Sequence, residues 1–147
     1  MIAFDTNIAF AAINTDLSQH NHAKAFIDSL ATRTDVIVSE LMLLELFVLL
    51  RNPVVSVKPL SAKVAASVCE SFRLNLNWQC VGLPPENRRF HDAFWKTLAS
   101  QEFARRRAYD IRLASSLIDQ GATEFATVNL KDFKDLGFAR VWSPLAK

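Results

Sequence analysis

Glycine is nearly absent: the chain has three in 147 residues, none of them near its first acidic residue, Asp5. A glycine-rich first turn, by which dinucleotide-binding folds bring backbone up to a pyrophosphate, has nothing to be made from. Cysteine is scarcer still. Cys69 and Cys80 stand in apolar surroundings without metal-ligand spacing, in a chain too long and too poor in cysteine for a disulfide scaffold. Both read as reduced thiols in or near the core of a cytoplasmic protein. Long apolar runs are missing too. The longest, Leu41–Leu50, is interrupted by Glu45 and reaches about half of the ~20 residues a bilayer span needs. The opening Met-Ile-Ala-Phe-Asp has no basic segment of the kind that starts a secretory leader. The expectation is a soluble protein with no membrane contact. Nor does either sign of charge dominate: a net charge of +2 and a pI near 8.7 permit a nucleic-acid partner without demanding one.

What is present is apolar. Half of the residues are hydrophobic and 22% are charged, enough for a sizeable core and too little polarity for disorder. The length suits a single domain spanning 1–147. Residues 2–4 read as a buried strand ending at Asp5, followed by helical sequence. Ala23, Phe26, Ile27 and Leu30 keep helical spacing between His20 and Leu30. Val36–Val38 is β-branched and predicts a second strand. Ser39 is placed to cap a helix that runs to about Arg51, where Asn52-Pro53 ends it. Further helices are expected over Ser61–Leu74, over Glu86–Ser100 with an aromatic face, and over Arg105–Gln120, closed by Gly121. Trp78–Leu83, Phe125–Val128 and Arg140–Trp142 supply the remaining strands. Strands alternating with helices predict an α/β fold with a mainly parallel sheet.

Ligands of open parallel sheets bind beyond the carboxyl ends of the strands, near the switch in strand order. Asp5 lies at such an end, where it serves equally well as a helix N-cap or as a functional acid. Glu45 is the only polar residue in Leu41–Leu50. If that helix is apolar on every face and buried, its carboxylate needs a cation or a basic partner, or else sits on one wet edge. Helical spacing puts Asp110 on the stripe of Leu113, Ala114 and Leu117, where it either answers the helix dipole or reaches over the end of the sheet. Asn129 and Asp132 follow the fourth strand in a turn, a place where such residues are common in any case. Glu40 has a sufficient role at a helix start. These acids share one chemistry. Mg²⁺ takes oxygen ligands, commonly carboxylates completed by water and substrate phosphate, and acids crowded together without a cation would repel one another. An ion held there can activate water and stabilise a leaving oxygen.

Phe-Asp-Thr-Asn (4–7), Ser-Glu-Leu-Met-Leu-Leu-Glu-Leu (39–46) with Arg-Asn-Pro (51–53), Tyr-Asp-Ile-Arg-Leu-Ala (109–114), Thr-Val-Asn-Leu-Lys-Asp-Phe (127–133) and Gly-Phe-Ala-Arg-Val-Trp-Ser-Pro-Leu (137–145) occur in that order. With these motifs the sequence resembles the PIN-domain ribonucleases and, among them, the VapC-type toxins of bacterial toxin–antitoxin pairs, over nearly its whole length. The resemblance implies a three-layer α/β/α fold around a mainly parallel four- to five-stranded sheet. It implies an endoribonuclease whose acidic pocket binds Mg²⁺ or Mn²⁺. Asp5, Glu45 and Asp110 match the three central acids of that pocket, with Asp5 and Asp110 as metal ligands. Thr6, Asn7 and Thr127 match its small polar lining. Many members carry an acid where this chain has Asn129, others three residues later at Asp132, so the fourth position is Asn129 or Asp132, the latter reaching the metal through water. The resemblance also implies a homodimer and a small antitoxin whose C-terminal segment crosses the pocket.

Arg105, Arg106, Arg107 and Arg112 could form a basic rim for an RNA backbone, but three consecutive residues cannot share one helix face. Arg105, Arg106 and Arg112 are the candidates taken from this run. The aromatics between Phe90 and Trp95 read as core first and as a dimer surface second. His20, His22 and His91 lack zinc spacing, and Ser115 and Ser116 lack the Gly-x-Ser-x-Gly turn of a serine hydrolase. A haloacid-dehalogenase-type phosphatase would want an Asp where Asn7 stands. The alternative within the fold is a catalytically inactive PIN module that binds RNA or a protein.

Overall fold

The computed structural model describes residues 1–145. Its elements are β1 (Ile2–Phe4), α1 (Thr6–Ile13), α2 (His20–Leu30), β2 (Ile37–Ser39), α3 (Glu40–Leu50) and α4 (Ala62–Arg73). These are followed by β3 (Gln79–Val81), α5 (Asn87–Ala99), α6 (Arg107–Asp119), β4 (Glu124–Ala126), α7 (Leu130–Phe133) and β5 (Arg140–Trp142). Two parallel ladders, β1-β4-β5 and β2-β3, meet through a parallel bridge between Ile2 and Val36. The resulting order is β3-β2-β1-β4-β5. The chain runs outward from β1 through β2 to β3, crosses back to β4 beside β1 and runs outward again to β5, which puts the switch in strand order between β1 and β4.

The pleat sorts the apolar residues into layers, because successive side chains of a strand point to opposite faces. Ile2, Phe4, Val36, Val38 and Ala126 pack with Ile8, Leu46 and Phe72 on one face. Ala3, Ile37 and Phe125 pack with Leu113, Ala114, Leu117, Phe133 and Phe138 on the other. This is the expected α/β/α sandwich.

The boundaries shift where side chains have other duties. Ser39 ends β2 and also caps α3, its hydroxyl accepting from the Leu41 amide at 3.1 Å, so no linker separates strand from helix. Expected strand residue Trp78 lies outside β3, and its indole donates to the Leu30 carbonyl at 2.9 Å. The fourth strand stops at Ala126 instead of Val128, because the Thr127 side chain turns toward Asp5. Helix α6 begins at Arg107, after a turn through residues 105 and 106. It ends as expected at Gly121, whose φ of +111° lets the Ala122 amide bond back to Leu117 at 2.9 Å. Of the aromatics in α5, Phe90 and Phe94 are buried against Ile111 and only Trp95 stands out, 64% exposed. Among the described residues no helix is long and apolar enough to cross a membrane.

Candidate active site

Asp5 follows the last residue of β1 and is the N-cap of α1, so the capping reading holds. It is 6% exposed. Its Oδ1 accepts from the Thr6 amide at 2.8 Å, while Oδ2 accepts from the Thr127 hydroxyl at 2.7 Å and the Asn7 side-chain amide at 3.3 Å. Thr127, fully buried at the end of β4, also accepts from the Asn129 amide at 3.0 Å and from Asn7 at 3.4 Å. The strand ends on either side of the switch are thus joined through one carboxylate. Burial pushes the Asp5 carboxyl from near 3.8 up to about 6. The Thr127 and Thr6 hydrogen bonds oppose that rise, and the Glu45 and Asp110 charges add to it.

Glu45 comes to the same place for a reason other than burial. Helix α3 is not enclosed: Leu44 is 66% and Val48 56% exposed, and Glu45 is exposed beside them. The expectation of a buried carboxylate in need of a cation is therefore corrected, since the wet edge of the helix runs through Glu45. What fixes the side chain is the Thr6 hydroxyl, which donates to its Oε2 at 3.1 Å. Asp110, half-buried in the first turn of α6, faces inward with Leu113 and Leu117. Its carboxyl is raised first by burial, then by the Asp132 and Glu45 charges, against the pull of Arg107. Asp132 lies in α7, half-buried, and Asn129 is exposed at the start of that helix.

Asp5, Glu45, Asp110 and Asp132 thus form one electrostatic group at the carboxyl edge of the sheet. Among the described residues no three acidic, histidine or cysteine side chains already stand as a ligand set. The donors are nonetheless all oxygens, the set that Mg²⁺ and Mn²⁺ prefer. The Asn7 side-chain carbonyl, two residues from Asp5, is buried without a partner. A cluster of repelling carboxylates with an orphaned carbonyl oxygen fits a hard cation.

A cleft of about 490 Å³ opens beside these acids between α3 and α6, lined by Leu41, Leu44, Val48, Tyr109 and Leu113 with Glu45, Asp110, Arg106 and Arg112. Arg105 is exposed on the turn before α6 and is not part of the lining. Arg107, set aside in the sequence, is half-buried and donates to the Asp132 carbonyl at 3.1 Å. Its neighbours in sequence hide it: Arg105 and Arg106 lie in the turn before α6, and Arg107 is the first of the three in the helix. The other candidates for chemistry are engaged structurally. Glu40 pairs with Arg73 at 2.6 Å and accepts from the Cys80 thiol at 2.9 Å. The His20 and His91 rings each bond a backbone carbonyl at 2.9 Å.

A parallel three-layer sandwich with acids gathered at the switch of β1 and β4 is the PIN fold. No protein-family model matches the chain. It is 45% identical over 145 residues to ribonuclease VapC24 of Mycobacterium tuberculosis, covering 99% of this chain and 97% of that one. The chain belongs to the VapC family. Solved structures agree on the fold. VapC20 of Mycobacterium tuberculosis, a toxin that cleaves the sarcin-ricin loop, superposes with a TM-score of 0.64 at 19% identity, covering 94% of this chain and 96% of that one. VapBC2 of Rickettsia felis, bound to a DNA fragment from its promoter, gives 0.63 at 19% identity, covering 97% and 98%.

Proposed function

We propose that this single-domain protein is a Mg²⁺- or Mn²⁺-dependent endoribonuclease and the toxin of a type II toxin–antitoxin pair. The observation that carries the reading is a chain of charge contacts at the carboxyl edge of the sheet, Asp5 with Glu45 and Asp110, and Asp110 with Glu45 and Asp132, in a chain 45% identical to a ribonuclease. Asp5 and Asp110 would hold the ion directly, and Glu45 and Asp132 through water. The bound ion would supply a nucleophilic water and charge stabilisation at the phosphodiester. Thr127 and the Thr6 amide fix the Asp5 carboxylate so that its orientation is set before any ligand arrives. Thr6 does the same for Glu45. Arg106 and Arg112, at the mouth of the cleft, would take the RNA backbone on either side of the scissile bond.

The exposed apolar wall of the same cleft supports the partner. Leu44, Val48 and Tyr109, at 66%, 56% and 69% exposure, offer an apolar segment a place to lie. An antitoxin tail there would bring a basic side chain onto Glu45 and Asp110 and block the site. In this reading the protein acts in the cytoplasm, as a homodimer when free.

The test is incubation of the purified protein with total RNA in Mg²⁺ or Mn²⁺, in chelator, and with Asp5→Asn in parallel. Cleavage that needs the ion and is lost in the variant is the expected result. Cleavage that persists in chelator would overturn the metal mechanism. A folded, partner-free protein that binds RNA but never cuts it would favour the inactive module instead.

A further inference from the structure

Four ionised carboxylates and one divalent ion leave a net charge of about −2, which repels the phosphodiester the site has to accept. A cation held beside the acids, without being neutralised by them, would remove that obstacle. Arg107 has that placement. It is the first residue of α6, three before Asp110, and so lies on the same helix face. It is half-buried, whereas Arg105 and Arg106 are exposed. Its Nη2 donates to the Asp132 backbone carbonyl at 3.1 Å, which fixes the guanidinium between α6 and α7, the elements that carry Asp110 and Asp132.

Its remaining N–H groups have no partner among the described residues, and it forms no ion pair there. An anchored guanidinium with free donors, near the Asp110 carboxylate yet bonded to no carboxylate, is arranged to receive an anion from outside. Resting on the ribonuclease reading above, we propose that Arg107 is the phosphate-binding cation of this site, held by the Asp132 carbonyl and donating to a non-bridging oxygen of the RNA phosphodiester. Asp132 then has a second duty, since its backbone anchors the cation.

The experiment compares the wild type with Arg107→Ala and Arg107→Lys in three measurements. These are equilibrium binding of a single-stranded RNA oligonucleotide against salt, cleavage of total RNA in Mn²⁺, and calorimetric binding of Mn²⁺ alone. Arg107→Ala is expected to weaken RNA binding about tenfold, to lower the salt slope by about one, and to slow cleavage by about 100-fold. It should leave Mn²⁺ affinity undiminished. Arg107→Lys should recover much of the binding and less of the rate, because an ammonium keeps the charge and loses the fork. RNA binding unchanged in Arg107→Ala would overturn the proposal. So would a parallel loss of Mn²⁺ binding, which would make Arg107 only a prop for Asp132. A wild type that binds RNA through Arg107 without cutting would sink the ribonuclease reading and leave the phosphate contact standing.

Discussion

The Thr127 hydroxyl donates to the Asp5 carboxylate at 2.7 Å across 122 residues of sequence, and both side chains are buried. Strand β4 delivers the donor and strand β1 the acceptor, so pairing of the two strands sets the geometry of the acid. Thr127→Val keeps the shape and removes the donor. It should cost about 1–3 kcal/mol at neutral pH, where Asp5 is ionised, and raise the Asp5 pKa further. Denaturant unfolding at pH 8 and pH 5 checks this: the loss should be smaller at the lower pH, and an equal loss at both would separate Thr127 from the Asp5 charge.

Asp5 makes the ion-free protein less stable as pH rises. Its proton is held to about pH 6 in the fold and to about 3.8 in an unfolded chain. Below the lower value both states are protonated and nothing is lost. Through the interval the unfolded chain ionises first, and above it the fold is disfavoured by on the order of 3 kcal/mol. In chelator, Tm should fall between pH 4 and pH 7, and Mn²⁺ should restore it. Asp5→Asn retains the cap and should flatten the profile while abolishing cleavage. A variant profile as steep as the wild type's would assign the effect to other groups.

Glu45→Gln isolates function from folding, because the residue is exposed. Stability should change by no more than about 0.5 kcal/mol. Cleavage should fall by at least about 100-fold. Melting and RNA cleavage measured on the same sample give the comparison. A well-folded Glu45→Gln that cuts at full rate removes Glu45 from the site.

Arg106 lies at the mouth of the cleft and is exposed. Arg106→Ala should therefore weaken RNA binding several-fold and reduce the salt slope by about one, with kcat little altered. An unchanged salt slope would take it off the RNA path.

Much of this was legible in the sequence because the fold repeats one pattern. Short apolar runs closed by polar residues gave all five strands within a residue or two, and β5 coincides with the expected Arg140–Trp142. Asp5 and Asp110 were legible because each interrupts an apolar pattern at the end of an element. Glu45 was singled out on a wrong premise: an all-apolar helix looked enclosed, yet Leu44 and Val48 face water. Arg107 was not legible. Three adjacent arginines are equivalent until the start of α6 at Arg107 and the position of α7 choose between them.

Asp5 directly follows Phe4 of β1, and Ser39 joins β2 to α3 with no linker. Either joint is therefore intolerant of length. One residue inserted at the second would rotate α3 by about 100° and swing Glu45 out of the group, and one inserted at the first would move Asp5 away from Thr127. The connections at 51–61 and 82–86 impose no such phase on the acids. Relatives of this chain should accordingly differ in size through those two stretches, and gaps in their alignment should avoid positions 4–6 and 38–45.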